Sequence, residues 1–255
     1  MRGDFLDGLP TGRLAIREHG AYGVPVGVLG VDCEAPFLPG SVGNASTYAY
    51  PVRHRRIPGC TIERLLFEPD PNLTPRVVEA ARELVREGAR LITANGGFMI
   101  RFQRAVAEAV DVPVLLSSLL QVPLLTSTLS PNGRLGIITA SARSLEEPDV
   151  LEAAGIDRRH PIAVEGLEEC PEFRAAYIDC VGTIDAQAVC RETVDAALRL
   201  TQRHPDVAAI LMECSEGPPY SHAVQRATGL PVYDFVSMID YFERGLRRVP
   251  FHGYY

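Results

Sequence analysis

Short apolar, β-branched runs alternate with helical patterns along this chain, and that alternation constrains its fold more than any other feature. Strands joined through helices run parallel, and a parallel sheet is covered on both faces. Val24–Val31, Ala89–Ala94 and Pro113–Leu116 read as strands, with a helix over Phe98–Val110 between the last two. Thr74–Gly88 is a further predicted helix, with Thr74 as its cap, Pro75 in its first turn and Gly88 at its end. The pattern then starts again. Arg134–Ala140 and Val207–Met212 read as strands, and Ala142–Ala154, Asp185–His204 and Tyr220–Thr228 as helices. Gly229–Tyr233 leads back to a last helix over Val236–Arg247.

The restart is also visible residue by residue. Positions 105–114 (AVAEAVDVPV) lie over positions 223–232 (AVQRATGLPV), a displacement of 118. Gly96 then falls opposite Cys214, each where a strand ends and a helix begins. Such an internal duplication predicts an α/β protein of two pseudo-symmetric parallel-sheet halves, with the site in the cleft between them. The expected first half is 1–130, joined by the C-terminal segment 234–255, and the second is 131–233. Ser130-Pro131-Asn132-Gly133 is the boundary turn.

Composition removes several functions. All 25 cations are arginines, which excludes a lysine Schiff base and a Walker-type phosphate loop. The formal net charge of −7 argues against a nucleic-acid partner. Met1 to Tyr22 lacks the basic-then-apolar order of a signal peptide. The longest apolar run, Val112–Leu125, is interrupted by Ser117, Ser118, Gln121 and Pro123, so no membrane partner is expected. The six cysteines, at 33, 60, 170, 180, 190 and 214, form no CxxC pair. That leaves no zinc ribbon or dithiol motif and points to a reduced, cytoplasmic protein. No His/Asp/Glu cluster has metal-ligand spacing, so no metal is expected.

Chemistry must then come from thiols, carboxyls, hydroxyls and backbone amides. Cys214, in Met212-Glu213-Cys214-Ser215-Glu216-Gly217, sits at a strand end before a helix. There, free amides and the helix dipole favour the thiolate; a buried structural cysteine is the alternative. Cys33, which closes the first strand, is the other cysteine of interest. Glu213 is assigned no role, because neighbours on a strand point to opposite faces. Asn95-Gly96-Gly97-Phe98 is the matching turn of the first half, where two glycines let the backbone approach a ligand. Arg53-His54-Arg55-Arg56 reads as a solvated basic loop, and His222 as an exposed helix residue.

Thr93-Ala94-Asn95-Gly96-Gly97-Phe98, Glu213-Cys214-Ser215, Pro218-Pro219-Tyr220, Ala227–Asp234 and Gly43-Asn44 together resemble the aspartate/glutamate/hydantoin racemase superfamily. The resemblance implies two flavodoxin-like halves, no cofactor, and two facing cysteines that remove and deliver a proton α to a carboxylate. Here the second cysteine is Cys214, but the first position holds Gly96. That matches a one-cysteine variant resembling arylmalonate decarboxylase, in which a single acid protonates the carbanion left by carbon dioxide. The implied activity is a cofactor-independent lyase, decarboxylase-type, acting α to a carboxylate through an enolate-like intermediate with Cys214 as proton donor. The vacated side at Gly96 would give room for the departing group.

By the same resemblance, the amides of Gly97 and Ser215 and the hydroxyls of Thr139 or Ser141 would hold the enolate oxygens. Asn95, Ser118, Asp32 and Asn44 would line the cleft around a small carboxylic acid. Phe98, Met99, Tyr48 and Tyr220 are candidate apolar walls. A racemase or isomerase with a non-cysteine partner and a carboxylate-binding homologue without turnover are the alternatives. Homo-oligomers are frequent among such enzymes.

Overall fold

A computed structural model describes residues 22–252, so all but the last residue of the Met1–Tyr22 stretch lies outside the described residues. Strands β1 (Val26–Gly30), β2 (Val52–Arg56), β3 (Leu91–Asn95) and β4 (Val114–Leu115) form one parallel sheet in the order β2-β1-β3-β4. Strands β5 (Arg134–Thr139), β6 (Ile162–Gly166), β7 (Val207–Met212) and β8 (Val232–Tyr233) form a second, in the order β6-β5-β7-β8. Strand for strand, the second sheet repeats the first. Every residue of β3 is buried, as a central parallel strand covered on both faces demands.

Two strands escaped the sequence reading, and both are edges. β2 contains the supposed basic loop: Arg53 reaches Glu87, the C-cap of the helix Thr74–Arg86, at 3.0 Å, and Arg55 reaches Glu83 within that helix at 2.7 Å. Charges along an edge strand hide its period-2 signal and also protect the edge from pairing. β6 begins after Pro161 and carries Glu165, which is paired with Arg199.

Three helices differ from expectation. Thr74 opens its helix without capping it, because Asp70 caps the preceding 3-10 turn Pro71–Leu73. The span Phe98–Val110 is a 3-10 segment, Gly97–Phe102, followed by a short α-helix, Gln103–Ala107. The span Ala142–Ala154 is split into Ala142–Leu145 and Pro148–Ala153, since Pro148 holds Glu147 extended at ψ 135°.

The two sheets are joined by the turn at 130–133, where the Gly133 N–H donates to the Ser130 carbonyl at 2.8 Å. The last helix, Phe235–Leu246, buries Phe235, Met238 and Ile239 against Val26, Val28, Leu91 and Leu115 of the first sheet. Across the seam, Ser144 donates to the Leu66 carbonyl at 2.9 Å, and Arg101 pairs with Glu147 at 2.7 Å. Ser118 donates to the carbonyls of Met212 and Glu213. Among the described residues all six cysteines are unpaired by disulfides, no cluster could hold a metal ion, and no helix is long and apolar enough to cross a membrane.

Candidate active site

β3 and β7 occupy equivalent places in their sheets, so the turns at their carboxyl ends meet. Between those turns lies a narrow cavity of about 40 Å³. Asn95, Gly96, Gly97 and Phe98 line it from the first half, and Glu213, Cys214, Ser215 and Glu216 from the second. Cys33, Phe37, Val31, Ala140 and Tyr177 complete the walls together with Ile62, Leu65 and Leu66.

The two glycines are required for different reasons. Gly96 has φ +148°, a conformation that side chains rarely adopt, and a Cβ there would lie 2.9 Å from Val31 Cγ1. The side opposite Cys214 is therefore not open space for a departing group but an apolar wall. At Gly97 the obstacle is the other half of the molecule: a Cβ would lie 1.7 Å from Glu213 Oε1. The backbone N–H groups of Gly97 and Ser215 find no acceptor among the described residues, so both are free to bind an anion.

Glu213 corrects the sequence reading. β7 ends at Met212, so alternation no longer separates Glu213 from Cys214, and both reach the cavity. Thr139 donates to Glu213 Oε2 at 2.9 Å, while Oε1 has no partner. Glu216 accepts from the Ser215 hydroxyl at 3.2 Å through Oε1, and its Oε2 is likewise unpartnered. Burial pushes both carboxyls up to about 7, against the opposing hydrogen bonds from Thr139 and the Ala140 amide to Glu213 and from Ser41 and Ser215 to Glu216. Two acids flanking a cysteine in an apolar run were the available signal.

Cys214 is also corrected. Its thiol is held well above the usual range, first by burial and then by the charges of Glu213 and Glu216. The Glu216 N–H favours the thiolate but does not outweigh them. The following helix starts only at Pro218, too far along to act as the expected dipole. The resting group is a thiol.

Several expected residues act behind the cavity rather than in it. Thr139 positions Glu213. Ser118 holds the β7 end from the other half. Ser141 caps the helix Ala142–Leu145 through the Ser144 N–H. Asp32 accepts from the Gly59 N–H at 2.7 Å and pairs with Arg56. Asn44 caps a 3-10 turn and donates to the Phe37 carbonyl at 2.8 Å, holding the loop that carries Phe37. In each case a nearer partner satisfies the polar group before a ligand could. Asn95 is buried in the wall with Oδ1 unpartnered.

Of the proposed apolar walls, Phe98 lines the cavity, and Tyr220 lies behind it, its hydroxyl 3.2 Å from that of Tyr177. Met99 packs on Cys60, and Tyr48 belongs to the core under the last helix. His222 is exposed. Cys33 lines the cavity, its thiol raised by a hydrogen bond with Cys180 and by burial.

No protein-family model matches the chain. A dimethylsulfoniopropionate lyase of Durusdinium sp. clade D is 33% identical over 233 residues, covering 89% of this chain and 77% of its own length. Dimethylsulfoniopropionate lyase 7 of Emiliania huxleyi (strain CCMP1516) is 29% identical, covering 89% and 69%. Among solved structures, unliganded arylmalonate decarboxylase aligns with a TM-score of 0.54 at 17% identity, over 88% of this chain and 92% of that one. Glutamate racemase RacE1 from Bacillus anthracis aligns at 0.58 and 13%, over 88% and 81%. The fold is that of the aspartate/glutamate racemase superfamily.

Proposed function

The chain belongs to the dimethylsulfoniopropionate lyase family, and on that premise we propose that it splits a β-sulfonio carboxylate by elimination, with Cys214 as the acid/base group at the α carbon. The substrate carboxylate sits against the amides of Gly97 and Ser215. The Cys214 sulfur, as thiolate, takes the α proton, and the electron pair develops as an enediolate on the two carboxylate oxygens. Preorganised amide donors stabilise that charge. The pair then forms the carbon–carbon double bond while the carbon–sulfur bond breaks, and its electrons leave on sulfur. Dimethylsulfoniopropionate would give acrylate and dimethyl sulfide, and the proton on Cys214 returns to water.

The observation that carries this reading is the one-sided site: a thiol faces Gly96 backed by Val31. A racemase must deliver a proton to the opposite face, where Gly96 carries no side chain to do so and the other thiol in the walls is Cys33. Elimination of a neutral sulfide needs no acid there. A decarboxylase would also need a single thiol, as donor, but a malonate brings two negative charges to walls whose ionisable groups, among the described residues, include two carboxyls and no cation. The narrowness of the cavity likewise favours a compact acyclic acid over an aryl one.

Incubation with dimethylsulfoniopropionate, with dimethyl sulfide followed in the headspace and acrylate by proton NMR, tests the proposal. Wild-type turnover and its loss in Cys214→Ala are expected. No product above the uncatalysed background, or full turnover in Cys214→Ala, overturns it.

A further inference from the structure

The cavity is short of positive charge and rich in unsatisfied acceptors. Among the described residues, three buried oxygens there lack a hydrogen-bond partner: Asn95 Oδ1, Glu213 Oε1 and Glu216 Oε2. The parent side chains are 3, 0 and 5% exposed. Among the described residues no arginine or histidine lines the cavity, and the chain has no lysine. The guanidinium that acts on Cys33, Arg56, is held by Asp32. Buried carboxyls without a counter-ion are costly unless a ligand supplies one. Three aromatic rings, Phe37, Phe98 and Tyr177, stand in the same walls, and rings of this kind attract desolvated cations.

We infer that Glu213 and Glu216, with these rings, form an onium subsite that selects a ligand carrying a small sulfonium or quaternary ammonium group beside its carboxylate. The inference rests on the lyase reading for the identity of the cation, but not for its existence. It divides the site into two ends: amides of Gly97 and Ser215 for the anion, carboxyls for the cation.

Among the described residues, the groups acting on or facing Glu216 are Ser41, Ser215, Cys33, Tyr48, Tyr177, Cys180, Cys214 and Tyr220, none of which can carry positive charge. Those acting on Glu213 are Thr139 and the Ala140 amide. Loss of protons from the two carboxyls is therefore what a cation would promote, and its affinity should rise as pH increases through about 7.

The test uses two unreactive isosteres, 3-(trimethylammonio)propionate and 4,4-dimethylpentanoate, titrated calorimetrically into the full chain at pH 6 and pH 8. The expected result is at least tenfold tighter binding of the ammonium compound at pH 8, about 1.4 kcal/mol, with proton release seen as a buffer-dependent heat at pH 6. The preference should narrow at pH 6 and collapse in Glu216→Gln and Glu213→Gln, while affinity for 4,4-dimethylpentanoate, whose tert-butyl end is uncharged, is kept. Equal affinity for the two acids, no binding of either, or a preference unchanged in both variants overturns the subsite. Dimethyl sulfide release is scored separately, so a charge preference without turnover would sink the lyase reading alone, and turnover without preference would sink the subsite alone.

Discussion

Gly97→Ala tests the packing between the two halves at a single atom. The added methyl would lie 1.7 Å from Glu213 Oε1, 2.5 Å from its Cδ and 2.8 Å from its main-chain oxygen. Relief requires the buried carboxyl to leave the Thr139 hydroxyl and the Ala140 amide. Overpacking costs about 1–3 kcal/mol, and a hydrogen bond to a charged group is worth about 1.5–3 kcal/mol, so the total is about 4 kcal/mol. At about 2–4 °C per kcal/mol for a chain of this size, Tm should fall by about 8–16 °C. The Gly97 amide itself is unchanged, so the effect is one of shape. A double-mutant cycle isolates it: with Glu213→Ala in place, Gly97→Ala should cost much less, the remainder coming from the close main-chain oxygen. Urea or thermal unfolding of the four proteins reads the coupling. A Gly97→Ala protein that melts with the wild type, or an equal loss in both backgrounds, refutes the packing described here.

Further outcomes follow from the same geometry. Gly96→Cys should lower Tm, at a cost of about 1–3 kcal/mol for its φ of +148° alone, and should show no α-proton racemisation by NMR in deuterium oxide, because its side chain points into Val31. The folded carboxyls of Glu213 and Glu216 hold protons that the unfolded chain releases near its ordinary pKa of 4.5. Stability therefore falls as pH rises from about 4.5 to 7, by up to about 3 kcal/mol per group, and urea midpoints at pH 5 and 8 should show it, with a flatter profile in Glu213→Gln. Because the resting Cys214 is a thiol, kcat/KM for elimination should climb into the alkaline range; a profile falling above neutrality would contradict it. Asp32→Asn, outside the cavity, should leave kcat/KM within about threefold and cost no more than about 1 kcal/mol of stability, as exposed ion pairs do.

The halves and their central strands were legible because a parallel strand buried on both faces is written as an unbroken apolar run, as in Leu91–Ala94 and Val207–Met212. The edge strands were not, since β2 reads Val-Arg-His-Arg-Arg and its partners, Glu83 and Glu87, lie some thirty residues on. Cys214 and the Asn95-Gly96-Gly97 turn stood out because strand ends in such sheets are where ligands bind. The family resemblance points to Thr139, Ser141 and Ser118 as well, yet their hydroxyls bond to nearer protein groups.

What the chain order alone determined is the alternation, its repetition after 118 residues, and the pairing of a glycine with a cysteine at equivalent turns. Tertiary structure decided the electrostatics. Glu213 and Glu216 are ordinary acids in the written sequence. Only when the second half closes on the first does Gly97 admit one carboxyl and the apolar walls enclose both, so that water no longer screens them. The charge state of Cys214 follows from that enclosure, and no local pattern of residues encodes it.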